Sequence, residues 1–268
     1  MKFTVITLFP EMIHQSLKFG LMGQALEKKL FEVVTLNPRE FTNDVHKSVD
    51  DRPFGGSDGM LLQADVLQKS IQKVREENPG TYTIFLSPQG QPFCENKIQN
   101  LLKHKSLTLV SARYAGVDQR LINAEIDEEI SIGDYVLNGG ELPALVLIEA
   151  LTRQIPGVLG HTQSAIKDSF FEGLLEAPAF TRPREWQGQE VPEVLLSGNH
   201  QLISEWQNKM SWLVTKEKRP DLFLQALQKQ SPQVLKSIKD FDQKMDSQER
   251  KLCGLKSYSE ASWSEILK

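Results

Sequence analysis

At 268 residues, with 40% hydrophobic and 25% charged side chains, the chain has ordinary globular composition and enough length for one large or two moderate domains. A formal net charge of −4 excludes a generally nucleic-acid-attracting surface and leaves only a local basic patch for that purpose. Cys94 and Cys253 make neither a zinc spacing nor a disulfide framework, and no apolar run approaches the ~20 residues of a membrane span.

The opening MKFTVITLFPEM lacks the basic start and longer apolar core of a secretion signal, so the expectation is a soluble cytoplasmic protein with no membrane partner. Phe3–Leu8 reads as a strand, Pro10-Glu11 as a helix start, Leu21–Leu30 as a helix and Phe31–Leu36 as a second strand. Asn37–Gly59 is polar and without period, a long loop. Leu61–Glu77 has helical spacing through Leu62, Val66, Leu67, Ile71 and Val74. Tyr82–Leu86 is a strand closed by the turn SPQGQP, Glu95–His104 a helix, Leu107–Ser111 a strand, and Glu141–Gln154 an apolar helix with Pro143 in its first turn. Strands alternating with helices predict an α/β fold with a mostly parallel sheet over residues 1–160. Residues 161–175 read as a linker. From Glu176 no further strand is expected, and Asn199–Glu217, Asp221–Gln228 and Pro232–Lys244 form a small α-helical domain over 176–245. Lys209, Lys216, Lys218 and Arg219 gather near one helix end, and Trp206 and Trp212 share that helix. The tail 246–268 is assigned no element.

Four stretches suggest chemistry. SIGDYVLNGGELP, residues 131–143, puts glycines between a strand and a helix, but it is neither GxGxxG nor a P-loop. Its neighbours are Asp127, Glu128, Glu129, Asp134 and Glu141, so a polyphosphate is disfavoured and a neutral or cationic adenine-bearing ligand such as S-adenosylmethionine fits better. FLSPQG, Phe85–Gly90, and SARYAGVDQR, with Arg113 and Tyr114, both follow strands, where open α/β sheets bind ligands. Asp168, with Phe170 and Phe171 behind it, is a candidate general base. Each has an ordinary structural explanation: a glycine turn, a plain loop, a surface Arg–Tyr pair, a helix N-cap. Arg153, ending the apolar helix, equally suits a helix C-terminus. The five histidines are scattered without metal spacing, and no metal is predicted.

In their order and spacing, these segments resemble one family. DEEISIGDYVLNGGELPALVLIEALTRQIPGVLG (127–160), DDRPFGG, LSPQG, DSFFEGLLEAPAFTRP and VPEVLLSGNH are similar to the motifs of the bacterial tRNA (guanine-N1)-methyltransferases of the SPOUT class, over about residues 1–245. The resemblance implies a deep trefoil knot and S-adenosylmethionine as methyl donor. Its binding loops correspond to Phe85, Leu86, Ser87, Pro88, Gln89 and Gly90; to Ala112, Arg113, Tyr114 and Gly116; and to Ile132, Gly133, Asp134, Tyr135, Val136, Leu137, Asn138, Gly139 and Gly140, with Pro143 beyond. It further implies an obligate homodimer with active sites built from both chains. The acceptor would be N1 of the guanosine 3′ of the anticodon, position 37. Asp168 would be the base, Arg153 the stabiliser of charge on the guanine, and the helical domain the grip on the anticodon stem-loop of the tRNA. Magnesium is associated with the family, although the sequence shows no ligand set for it.

Two departures stand out. The usual GGGPGM is GGSDGM here, with Ser57 and Asp58. The usual Gly-Arg-Tyr-Glu-Gly is ARYAG, in which Ala115 replaces a glutamate that contacts the target guanine in the family. An RNA methyltransferase of altered target preference and a non-catalytic RNA-binding protein therefore remain as alternatives.

Overall fold

Four segments with β-branched and apolar runs and one acidic segment become one parallel sheet: β1 (Lys2–Ile6), β2 (Glu32–Leu36), β5 (Tyr82–Pro92) and β6 (Ser106–Val110), with the acidic β7 (Glu128–Ser131). The computed structural model describes residues 1–56, 58–159 and 168–266. Its strand order is β2-β1-β6-β5-β7, with every pairing parallel. Parallel strands need helical crossovers, which cover both sheet faces and bury the strands on each side.

The period of two divides the side chains between those faces. Phe3, Val5, Ile84, Leu86, Leu107 and Leu109 meet Ile13 of α1 (Pro10–Ser16), Ala25 of α2 (Gly20–Glu27), Leu101 of α4 (Glu95–Leu101) and Leu147 and Leu151 of α6 (Glu141–Thr152). On the opposite face Ile6, Phe85 and Val110 pack on Val66, Leu67, Ile71 and Val74 of α3 (Ala64–Glu77) and on Leu121 of α5 (Gln119–Glu125). A fully buried Leu, Ile or Phe stabilises by roughly 1.5–3 kcal/mol, which outweighs the strand-propensity scale of about 1 kcal/mol.

The expected helices and strands of this region form, with ends displaced by a few residues. Four features differ. β5 continues through SPQGQP: Leu86 and Gln91 both pair with Ile130, so Ser87–Gly90 bulges from the strand and returns to the same ladder. β7 and α5 were not expected, because EEIS carries two acids and seven residues are too few to display a period. Glu128 is tolerated in β7 because Lys97 pairs with it. The polar stretch 37–59 contains a 3₁₀ turn at Pro38–Phe41 and β3 (Asp50–Asp51), which pairs antiparallel with β4 (Leu61–Leu62). The helix expected from Leu61 accordingly begins at Ala64.

The chain divides into two compact units, Met1–Thr162 and Gln163–Lys268. In the second, the helices His200–Lys218, Pro220–Leu227 and Pro232–Lys244 enclose Trp206, Met210, Trp212, Leu213, Phe223 and Ile238. Asn199 caps the first of these, accepting from the backbone N–H groups of Gln201 and Leu202 at 3.1 and 3.2 Å. Strands do occur past Glu176: Glu185–Trp186 and Gln189–Glu190 form a minimal hairpin. The tail also folds. Asp246 caps a helix at Ser247–Leu252, and Glu260–Ile266 is helical. Trp263 is fully buried, stacks edgewise on Phe223 at 6.0 Å and donates to Asp242 at 2.7 Å. Low apolar periodicity hid these helices because a single tryptophan anchors the last one.

Candidate functional site

The bulge of β5 and the exits of β6 and β7 converge at one edge of the sheet, where they enclose a cavity of about 340 Å³. That lies within the range of small-ligand sites, roughly 300–1,000 Å³. Phe85, Leu86, Ser87, Pro88 and Gln89 form one wall, and Ala112, Arg113, Tyr114 and Gly116 a second. Ile132, Gly133, Tyr135, Val136, Leu137, Asn138, Gly139, Gly140 and Pro143 form the third. These three stretches lie far apart in sequence and are brought together by parallel strand order alone. Gly90 and Asp134, also expected at the site, do not line it. Gly90 instead closes the bulge against β7: a Cβ there would lie inside 3.0 Å of the Ile130 backbone. Asp134 projects to the exposed side of its loop.

Main chain builds much of the third wall. Gly140 donates its N–H to the Ala112 carbonyl at 2.9 Å, and Arg113 and Gly139 form an isolated antiparallel bridge. Gly140 stands so close to β6 that a Cβ would meet Ser111 Cα at 2.7 Å. Gly133 turns at φ 152°, and Tyr135 folds back, donating its N–H to the Gly133 carbonyl at 2.9 Å. The second wall is equally tied down. Ala115 N–H donates to the Met60 carbonyl at 2.9 Å, and Tyr114 sits at φ 63°, in the left-handed region that a bulky residue occupies only under local constraint.

The cavity's charge is set by few groups. Arg113 is the one Lys or Arg among the described residues that line it, and Glu129 is the acid. Glu141, fully buried at the start of α6, lies with Oε2 at 3.0 Å from Arg113 Nε and accepts from Thr7 Oγ1 at 2.8 Å. The Arg113 guanidinium also covers the Phe9 ring at 4.4 Å. Sequence reasoning missed Thr7 and Glu141 as well as the lining residues Val117, Gln119, Ile122, Glu129, Ile130 and Ser131. An acid directly after Gly139-Gly140 and before an apolar helix was the one available signal for Glu141.

Neither Arg153 nor Asp168 lines the cavity. Arg153 is exposed at the C-cap of α6, its N–H donating to the Glu149 carbonyl at 3.1 Å. Asp168 belongs to the second unit. No helix begins there; the chain makes a tight turn, with Phe170 N–H donating to the Leu174 carbonyl at 2.6 Å. Phe170 and Phe171 are 43% and 39% exposed, so they do not form the apolar backing expected behind Asp168 within the single chain. Ser57 and residues 160–167 lie outside the described residues.

The expected basic cluster is only partly available. Lys216 is buried, with its amine 4.7 Å from the Trp263 ring centroid and 3.9 Å from Asp242. Arg219 is held by Asp221 at 2.6 Å. Lys218 is exposed and Lys209 half-buried over Phe241. Among the described residues no group of three or more His, Cys, Asp or Glu side chains is arranged to hold a metal, and the site offers magnesium no ligand set. None of the described helices is long and apolar enough to cross a membrane.

Comparison with known proteins bears directly on this geometry. Residues 1–225 match the family model described as tRNA (Guanine-1)-methyltransferase TrmD. A tRNA (guanine-N(1)-)-methyltransferase of Alcanivorax borkumensis is 51% identical over 239 residues, covering 87% of this chain and 90% of that protein. One of Hydrogenovibrio crunogenus is 46% identical over 230 residues, 85% of this chain and 97% of its own. A third, of Pseudoalteromonas atlantica, is 43% identical over 259 residues and covers 96% of this chain and 97% of its own, so the alignment extends into the folded tail.

Proposed function

The chain belongs to the tRNA (guanine-1)-methyltransferase family, and on that premise we propose how its two units divide the reaction. The enzyme transfers a methyl group from S-adenosylmethionine to N1 of a guanine in tRNA. We assign the acceptor to position 37, beside the anticodon, and the enzyme to the cytoplasm. The observation that carries the donor assignment is the cavity itself. Its glycine-built wall admits a ligand against the main chain, and the one Lys or Arg among its described lining residues is paired with Glu141. Such a site suits an adenosine bearing a positive sulfonium and disfavours phosphates. Bound there, the donor supplies an electrophilic methyl group. The close passage of Gly140 beside Ser111 and Ala112 is compatible with the trefoil knot that we expect in this unit.

For the acceptor half, Asp168 accepts the N1 proton and Arg153 offsets the negative charge that develops on the guanine as the proton leaves. The target base leaves its stack to reach the methyl group. Two chains are needed in this reading, and one feature of α6 supports a homodimer. Leu142 and Val146, one turn apart, are 49% and 43% exposed on a helix whose other face is core. Lys209 and Lys218 of the second unit are then the phosphate contacts on the anticodon stem; phosphate contacts position the RNA without reading it.

The test is transfer of tritiated methyl from S-adenosylmethionine to a tRNA transcript, with the modified nucleotide mapped by mass spectrometry. Label at guanine 37 N1 is expected, and Asp168→Ala is expected to lose about 10²–10⁴ in rate. Unchanged transfer by Asp168→Ala removes Asp168 as the base. Ala115 favours a second reading: it lines the cavity and is exposed, at the position where the family resemblance leads us to expect a guanine-contacting glutamate. A methyl mapped to a different nucleotide supports altered target preference.

A further inference from the structure

The buried carboxylate of Glu141 closes a circuit that no lining residue completes alone. The backbone N–H of Phe9 donates to Thr7 Oγ1 at 2.9 Å, and that hydroxyl donates to Glu141 Oε1 at 2.8 Å. The second carboxylate oxygen faces Arg113 Nε at 3.0 Å, and the Arg113 guanidinium returns to cover the Phe9 ring at 4.4 Å. Three elements meet in this circuit: the exit of β1, the exit loop of β6, and the first turn of α6 with the glycine wall before it. Thr7 and Glu141 are both fully buried.

We propose that Glu141, oriented by Thr7, is a positioning residue for methyl-donor binding: it holds Arg113, and through Arg113 the two facing loops, at the spacing the donor requires. The inference rests on the donor assignment made above. Arg113 is the hinge of the argument because its backbone bridges Gly139 and its Nη1 reaches the Asn138 carbonyl at 3.4 Å. A residue larger than glycine at 139 would collide with both Arg113 Nε and Glu141 Oε2, so wall, arginine and carboxylate interlock. The chemistry explains why an acid is used. A glutamine here has one oxygen to offer, to Thr7 or to Arg113 but not to both, and carries no charge. A carboxylate accepts from Thr7 on one side and faces Arg113 as an ion pair on the other, and its negative charge in the first turn of α6 is favourable toward the helix N-terminus.

Glu141→Gln preserves an oxygen for Thr7 and removes the charge that holds Arg113. Donor Kd by calorimetry is expected to rise about tenfold, as the ion pair that holds Arg113 is lost. The KM for tRNA is expected to stay within about twofold, because the acceptor contacts are assigned elsewhere. In a cycle with Arg113→Met, the double variant is expected to bind donor no worse than the weaker single variant, since both changes break one link. A lower melting temperature with unchanged donor Kd would mean that Glu141 merely stabilises α6, and would overturn the proposal; so would additive effects in the cycle. Should Glu141→Gln fail to fold, Thr7→Val carries the test, with a rise of about threefold in donor Kd expected and no rise counting against it. Calorimetry on the unaltered protein separates the two levels. Absence of donor binding there refutes the donor site, whereas normal binding that the variants leave unmoved refutes only the role of Glu141.

Discussion

Replacing Gly140 by alanine isolates the close approach on which the proposed donor cavity depends. Gly140 has φ −81° and ψ −1°, a conformation alanine adopts freely, so no backbone strain accompanies the change. The added methyl carbon would meet Ser111 Cα at 2.7 Å, Ser111 Cβ at 3.1 Å and the Ala112 nitrogen at 3.2 Å. Ordinary contact begins near 3.4 Å, so the glycine wall and β6 must part by about 0.7 Å. The obstacle is mostly the buried backbone directly after β6, where the Ser111 N–H is bonded to the Ile6 carbonyl at 2.9 Å, and it cannot swing aside. Overpacking of this kind costs about 1–3 kcal/mol. The same displacement lengthens the Gly140–Ala112 hydrogen bond and opens the cavity between two of its three walls. A donor Kd raised by about tenfold or more and a methyl-transfer rate lowered by about 10²-fold are expected, the latter being the scale of an ångström-sized misplacement. Calorimetry and single-turnover transfer, each read well below the melting temperature, measure the two. Donor affinity within about twofold of the unaltered protein would refute the account of this wall as the binding surface.

In the second unit, Trp263→Ala removes a fully buried ring together with its hydrogen bond to Asp242 and the Lys216 amine above it. A loss of about 3–5 kcal/mol, seen as a fall of more than about 10 °C in the melting of that unit by circular dichroism, is expected; a change under about 2 °C would show that the folded tail is not part of its core. A pH dependence follows from Asp118, the N-cap of α5. Its hydrogen bond from the Arg120 side chain, then that from the Arg120 backbone N–H, lowers its pKa from 3.8 to about 2. Because the folded value is the lower one, its contribution is complete above about pH 4 and disappears as the pH falls through about 2. Asp118→Ala is expected to cost about 1 kcal/mol at neutral pH, and urea denaturation should show the gap from the unaltered protein closing between about pH 4 and 2. A gap constant over that range would refute the assignment.

How far the sequence revealed this architecture depended on how each element is stabilised. Strands such as Lys2–Ile6 and Ser106–Val110 were legible because burial on both faces demands apolar, β-branched runs. α3 was legible because one face alone is buried, which imposes a helical period. β7 was not: an edge strand satisfied by Lys97 has no need of an apolar run. The Trp263 helix was hidden for a related reason, since one large side chain can replace a stripe of small ones. At the site, the three loops could be named from their glycines and strand exits. Thr7 could not, because a buried threonine in an apolar strand looks like a packing residue until its partner 134 positions away is known.

Glu141 also accounts for what seemed at first only an omission. The loop 131–140 contains one acid, Asp134, and no lysine or arginine, which by itself argues against phosphate. The fold nevertheless delivers two features that attract anions, the Arg113 guanidinium and the N-terminus of α6, to adjoining walls. Left unanswered, they would favour a phosphate or a carboxylate in the cavity. One carboxylate, at 3.0 Å from the guanidinium and in the first turn of the helix, opposes both. Even at an effective dielectric of about 20, opposite unit charges near 4 Å attract by roughly 4 kcal/mol, enough to set the sign of the local field. With Arg113 so balanced, Glu129 leaves an acid on the cavity lining. The preference for a cationic, phosphate-free ligand therefore comes from where Glu141 is buried as much as from which residues the loop lacks.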